Sequence, residues 1–206
     1  MTVIVVANPK GGVGKSTLAT NLAAYLAREG CAVMLGDVDR QQSSRTWLGL
    51  RPQAVPAVAG WEVTIDRLVK PPKGTTHVVL DTPAGLHGRK LDEVMKLADR
   101  VLVPLQPSIF DIYATRDFIT ELLARRKSER VAVAVIGNRV REGSISADQL
   151  AAFLGTLGVP LLGHLRDTQN YIHLAARGLA LWDVAPSRVE KDLEQWRLLT
   201  QWARAE

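Results

Sequence analysis

The chain is expected to be an α/β protein, a doubly wound and mostly parallel sheet flanked by helices. Three observations carry that expectation. Short runs rich in Val, Ile and Leu alternate with longer helical patterns along the chain. The runs show little polar alternation, as strands buried on both faces do. Between the first run and the first helix lies a glycine-rich loop, Lys10-Gly11-Gly12-Val13-Gly14-Lys15-Ser16-Thr17.

The first strand is read at 2–7 and the first helix at 16–29. Strand, glycine loop and helix in that order are what a phosphate-binding loop needs. Gly11, Gly12 and Gly14 let the backbone curl around an anion, with the N–H of Val13 between them. The helix N-terminus adds positive potential. Lys15 can reach the β- and γ-phosphates, and the Ser16 hydroxyl can sit on Mg²⁺. The loop departs from the G-x-x-x-x-G-K-[ST] pattern: Pro9 occupies the first glycine position, and a second lysine, Lys10, follows it.

The second strand, 31–36, runs into Gly36-Asp37-Val38-Asp39-Arg40-Gln41, followed by a helix at 41–49. Carboxylates two residues apart at a strand end point the same way. One can serve a metal shell and the other can orient water. Asp39 can alternatively cap the helix from Gln41. Residues 51–60 read as a loop, 63–70 as a short helix and 71–75 as a turn, because Pro52, Pro56, Pro71 and Pro72 cluster there. The third strand, 76–81, closes His77-Val78-Val79-Leu80 on Asp81-Thr82-Pro83, a Walker B pattern that holds Mg²⁺ directly or through water. Further helices are expected at 88–98, 110–126, 146–156, 168–178 and 187–204, with strands at 100–105, 131–137 and 161–165. The 206 residues suffice for one core and read as a single domain, 1–206.

Composition excludes several classes. The net charge of +5 is spread evenly, +3 over residues 1–111 and +2 over 112–206, so a nucleic-acid surface would have to be assembled by folding. A single cysteine, Cys31, excludes an intrachain disulfide or a cysteine-ligated cluster. No run approaches the ~20 apolar residues of a membrane span, and no signal peptide is visible. A cytoplasmic protein is expected.

The doubled-lysine loop, the Asp-x-Asp strand end and the Asp-Thr-Pro strand end resemble the ParA/MinD family of deviant Walker ATPases. Val103-Pro104-Leu105-Gln106-Pro107-Ser108-Ile109-Phe110-Asp111 looks like the small ParA-type members that lack an added N-terminal DNA-binding domain. The similarity covers nearly the whole chain. It implies ATP and Mg²⁺ as ligands and hydrolysis of ATP to ADP and phosphate. Lys10 would reach across a nucleotide-sandwich homodimer, while Lys15 would bind phosphate in its own subunit. Ser16, with Asp37 and Asp81, would serve the metal, and Thr17 would support the α-phosphate. Asp39 would position the hydrolytic water and Asn138 would contact adenine. Pro107 and Asp111 match a segment that responds to nucleotide at the dimer interface.

The family usually carries proline after the second aspartate, where this chain has Arg40, and a larger apolar residue at Gly36. The resemblance also implies non-specific binding of nucleoid DNA, with Arg139, Arg141, Arg166, Arg177 and Arg188 as candidates, and a ParB-like or adaptor partner that stimulates hydrolysis. Arg125, Arg126, Lys127 and Arg130 form the densest basic run, which reads equally as a solvated helix end. Two alternatives stay open. A MinD-like membrane helix could use Val189, Leu193, Trp196, Leu199 and Trp202, but Glu190, Asp192 and Glu194 offset its basic residues, and packing on the sheet is favoured, with no stable membrane association. A metabolic ATP-dependent ligase would need substrate groups for which only His87, His164 and His173 are available, in no recognisable constellation.

Overall fold

The structure, a computed structural model, describes residues 1–65, 69–125, 131–141, 143–156 and 158–205. The strands are β1 (Thr2–Val6), β2 (Val33–Asp37), β3 (Ala59–Trp61), β4 (His77–Asp81), β5 (Arg100–Leu105), β6 (Ala132–Val140) and β7 (Leu161–Arg166). All join one parallel sheet in the order β3-β2-β4-β1-β5-β6-β7. The helices are α1 (Lys15–Arg28), α2 (Ser43–Leu50), α3 (Gly88–Leu97), α4 (Ile109–Arg125), α5 (Ile145–Leu154), α6 (Asn170–Ala175) and α7 (Glu190–Arg204).

β1 shows why the apolar runs are strands. Ile4 and Val6 face a core formed with α1, α2, α6 and α7, whereas Val3, Val5 and Ala7 face one formed with α3, α4 and α5. A strand covered on both sides gains burial at every position, at roughly 1.5–3 kcal/mol for each large apolar side chain, so alternation is not needed. The chain reverses its winding direction around β1, and the crevice at the carboxyl ends of β1, β2 and β4 is where a ligand of such a sheet binds.

Several expectations are corrected. Among the described residues there are seven strands rather than six: β3 begins in the stretch read as a loop at 51–60. Ala-Gly-Trp carries no strand pattern, and pairing with β2 supplies the order. The helix expected at 63–70 is absent over the described residues 63–65, and 66–68 lie outside them. The helix expected at 168–178 is shorter, Asn170–Ala175, and the chain turns at Gly178 with φ 65°. A Cβ at Gly178 would lie 2.3 Å from the backbone of Leu50, so only glycine allows this approach. The last helix begins at Glu190, after 3₁₀ turns at Leu181–Asp183 and Pro186–Arg188. Val189, Trp196 and Leu199 are buried, and Leu193 and Trp202 pack against the same core. This face therefore covers the sheet, as expected, and the Trp196 indole donates to the Tyr171 hydroxyl at 2.8 Å.

Candidate nucleotide-binding site

The loop after β1 is shaped by left-handed glycines, Gly12 at φ 74° and Gly14 at φ 94°, a region L-residues avoid. Gly14 precedes α1, whose first residue is Lys15. Groups distant in sequence fasten the loop. Buried Asn8 accepts from the Lys10 N–H at 2.8 Å and donates to the Pro104 carbonyl at 2.7 Å and the Thr115 hydroxyl at 3.0 Å. Gln106 donates to the Gly12 carbonyl at 2.8 Å, and the Gly85 N–H donates to the Pro9 carbonyl at 2.8 Å. Asn138, at the end of β6, donates to the Val13 carbonyl at 2.7 Å. A Cβ at Gly14 would lie 2.2 Å from the Asn138 amide nitrogen, so this glycine serves both the turn and the fit of Asn138.

The buried ammonium of Lys15 donates to the Lys10 carbonyl at 2.7 Å. Burial pulls its pKa down, while the charges of Asp81 and Asp39 oppose that shift. The two carboxylates after β2 divide their work. Asp37 accepts from the backbone N–H groups of Asp39, Ser44 and Arg45 at 3.0, 2.8 and 3.1 Å, so it is Asp37 that caps α2. Asp39 accepts from the Gln41 N–H at 3.0 Å and faces the cleft. Gln42 is held left-handed at φ 52° and its amide donates to the carbonyls of Asp37 and Asp39 at 3.1 and 2.7 Å.

Asp81, 1% exposed, accepts from the Ser44 hydroxyl at 2.7 Å through one oxygen. Its other oxygen, Oδ1, is buried without a hydrogen-bond partner. Burial pushes its pKa up to about 6, opposed by the Ser16 and Ser44 hydroxyls. An orphaned carboxylate oxygen next to a serine hydroxyl fits Mg²⁺, a hard cation that takes oxygen donors and keeps several waters. Thr82 ties the end of β4 to β1 by donating to the Val6 carbonyl at 2.9 Å.

The glycine loop and the turn after β2 line a cleft of about 1080 Å³, with Gly11, Gly12, Gly14, Lys15, Ser16 and Thr17 on one wall and Asp37 to Ser43 on another, while Asp81 and Asn138 lie outside its lining. Gly36, the departure from the family pattern, has a counterpart across the sheet. A Cβ there would meet the Trp61 ring at 2.7 Å and Leu80 at 3.0 Å, so the tryptophan of the unexpected strand occupies the missing side chain's space.

The candidate arginines do not form one free set. Arg139, at φ 53°, lines the cleft. Arg141 is exposed and 3.9 Å from Asp167. Arg166 donates to buried Asp192 at 2.5 and 3.2 Å and is thereby a structural group. Arg177 and Arg188 are exposed. Arg125 pairs with Asp92 and Glu121, while Arg126, Lys127 and Arg130 lie outside the described residues. His87 lines the cleft beside the Gly85 carbonyl, His164 packs on Gly137, and His173 is exposed, so the three histidines do not converge. No helix among the described residues is long and apolar enough to cross a membrane.

Sequence reasoning missed Asn8, Gln42, Ser44, Gln106 and Thr115. Asn8 alone left a signal, a polar residue closing the apolar run Val3-Ile4-Val5-Val6-Ala7.

Residues 4–181 match the family model described as the CobQ/CobB/MinD/ParA nucleotide binding domain. The "Maintenance of carboxysome distribution protein A" of Gloeobacter kilaueensis is 30% identical over 184 residues, covering 87% of this chain and 83% of that protein. Among solved structures, apo McdA of Cyanthece superposes over 100% of both chains with a TM-score of 0.80 at 17% identity. The septum site-determining protein MinD of Pyrococcus horikoshii with Mg-ADP covers 98% of this chain and 96% of its own, with a TM-score of 0.74 at 19% identity. With the doubled-lysine loop, the Asp81 strand end and a parallel sheet of matching architecture, the chain belongs to the CobQ/CobB/MinD/ParA nucleotide-binding family.

Proposed function

We propose that the chain is a ParA-like ATPase, acting as one domain over residues 1–206, that positions or segregates a large cargo. ATP closes a homodimer through Lys10, the dimer holds DNA without sequence preference, and an adaptor or ParB-like partner stimulates hydrolysis to release it. The observation that carries this reading is the division between the two lysines. Lys15 lines the cleft and is folded inward, whereas the Lys10 side chain makes no hydrogen bond or ion pair among the described residues and lies outside the cleft lining. A loop lysine that lies outside its own cleft lining supports a role toward a neighbour's cleft.

In this reading Lys15 leaves the Lys10 carbonyl for the β- and γ-phosphates, and the loop N–H groups hold the α- and β-phosphates. Asp39 orients a water that attacks the γ-phosphorus, the bond to the β,γ-bridging oxygen breaks, and ADP and phosphate leave. Ser16 and the orphaned Asp81 oxygen would hold Mg²⁺, with Asp37 behind them as the cap of α2. That ion, when bound, supplies charge neutralisation at the β- and γ-oxygens. Asn138 would meet the base from the end of β6. Exposed Arg141, Arg177 and Arg188, with Arg139 at the cleft, remain the DNA candidates. The relative from Gloeobacter kilaueensis, named for carboxysome distribution, supports cargo positioning, though plasmid and chromosomal cargo use the same cycle. The inward-facing apolar side of α7 disfavours the membrane alternative.

Light scattering and DNA binding with and without ATP test this together. Wild-type protein should dimerise and bind DNA only with ATP, and more weakly as salt rises. Lys15→Ala should lose ATP binding, and Lys10→Ala should bind ATP yet stay monomeric. A Lys10→Ala protein that still dimerises with ATP, or liposome binding without DNA binding, would overturn the reading.

A further inference from the structure

Arg40 stands where the family usually has proline, and the structure shows both what replaces the stiffness of proline and what the arginine is free to do. The turn from Asp37 to Gln42 is locked by its own hydrogen bonds. The Asp39 N–H donates to the Asp37 carboxylate, the Gln41 N–H to the Asp39 carboxylate and the Gln42 N–H to the Asp39 carbonyl. The Gln42 amide then staples the carbonyls of Asp37 and Asp39, and the Thr46 N–H and hydroxyl both donate to the Gln42 carbonyl. Gln42 adopts a left-handed backbone that non-glycine residues avoid, and it persists because this network over-determines it.

At the apex of that turn Arg40 is exposed, lines the same cleft as the phosphate loop, and makes no hydrogen bond or ion pair among the described residues. The neighbouring carboxylates do not pair with it: Asp37 is turned to three backbone N–H groups and Asp39 to the Gln41 N–H. An unneutralised guanidinium carried on a fixed turn in the wall of this cleft is available to an anion. The loop N–H groups and Lys15 approach the phosphates from the other wall. The part of the nucleotide that meets the β2–α2 turn is therefore its free end.

We propose that Arg40 is a nucleotide-contacting residue that binds the terminal phosphate of ATP held in its own subunit, giving the site its preference for ATP over ADP. The inference rests on the ATPase reading above. Titration calorimetry of the full chain with Mg-ATP and with Mg-ADP tests it, using Arg40→Ala and Arg40→Lys. A charge-assisted contact at an open site corresponds to roughly a tenfold change in affinity. Arg40→Ala should weaken ATP by about that factor while changing ADP by less than about twofold, and Arg40→Lys should recover part of the loss. The same ATP-specific loss should appear in a Lys10→Ala background, where subunits stay apart. Should Arg40→Gln be needed because the alanine variant folds poorly, the same ratio applies. Equal loss for both nucleotides, no loss for either, or a loss that vanishes in the Lys10→Ala background would overturn the inference. Wild-type protein that binds no ATP would overturn the ATPase reading with it, whereas normal wild-type binding with an unaffected variant overturns this inference alone.

Discussion

Replacing Asp81 by asparagine should make the unliganded protein more stable while removing the Mg²⁺-dependent part of nucleotide binding. Asp81 is buried and its pKa is pushed up from 3.8 to about 6. A raised carboxyl pKa has the opposite sign to a salt-bridged one. The folded state binds the proton more tightly than the unfolded chain, so the ionised group costs stability. The cost is absent below 3.8, grows as pH rises toward 6 and is complete above it. The interval from 3.8 to about 6 corresponds to roughly 3 kcal/mol as an upper bound, and relaxation around the site brings the expected gain to about 1–3 kcal/mol. Asparagine is close in size, and its carbonyl can keep the Ser44 hydroxyl bond now made to Asp81. Urea denaturation at pH 7.5 without nucleotide should therefore give a higher midpoint for Asp81→Asn, and the gap should close as pH falls below 6. Adding Mg-ATP should stabilise the wild type and do much less for the variant. An Asp81→Asn protein less stable than wild type at pH 7.5 would refute the reasoning, because the carboxylate would then have a favourable partner and no orphaned oxygen.

Gly36→Val should destabilise the fold by about 1–3 kcal/mol through overpacking against Trp61, and Trp61→Ala in the same chain should recover part of that loss. Full additivity of the two substitutions in denaturant unfolding would show that they do not share the space. Asp39→Ala should bind ATP normally and accumulate an ATP-bound dimer with little phosphate release. Unchanged release would assign the water to another group.

The strands were legible because their physics is local. A run such as Val3-Ile4-Val5-Val6 can be covered on both faces only in a parallel sheet, and no knowledge of its neighbours is required. β3 was not, because Ala59-Gly60-Trp61 has no intrinsic strand character and is ordered by pairing with β2. The same distinction divides the site. Gly12, Gly14, Lys15 and Ser16 are adjacent in sequence and their chemistry can be read from spacing. Asn8, Pro104 and Thr115 meet only after β1, β5 and α4 are assembled, across separations of 96 and 107 residues. The pair Asp37 and Asp39 lies between these cases. Spacing placed both carboxylates at one strand end, but only the fold turns Asp37 back to cap α2 and leaves Asp39 to the cleft. Gly36 read as a departure for a similar reason: its justification is a tryptophan 25 positions later that sequence did not pair with it.

The loops following β4 and β5 and the end of β6 each fasten the glycine loop, through Gly85, Gln106 and Asn138. The Lys15 ammonium donates to the Lys10 carbonyl, and in the proposed reading it leaves that carbonyl for the phosphates. A phosphate that draws Lys15 away frees that carbonyl, at the same residue whose side chain the dimer reading sends across to the partner. In the proposed cycle, nucleotide occupancy and the disposition of Lys10 are coupled through that hydrogen bond. Linkage then requires that closing the dimer tighten ATP by the factor that ATP tightens the dimer. Asn8 limits how far the coupling spreads: its bond to the Lys10 N–H pins the backbone to β5 and α4, so the change falls on the carbonyl and side chain of Lys10 while the sheet beneath stays fixed.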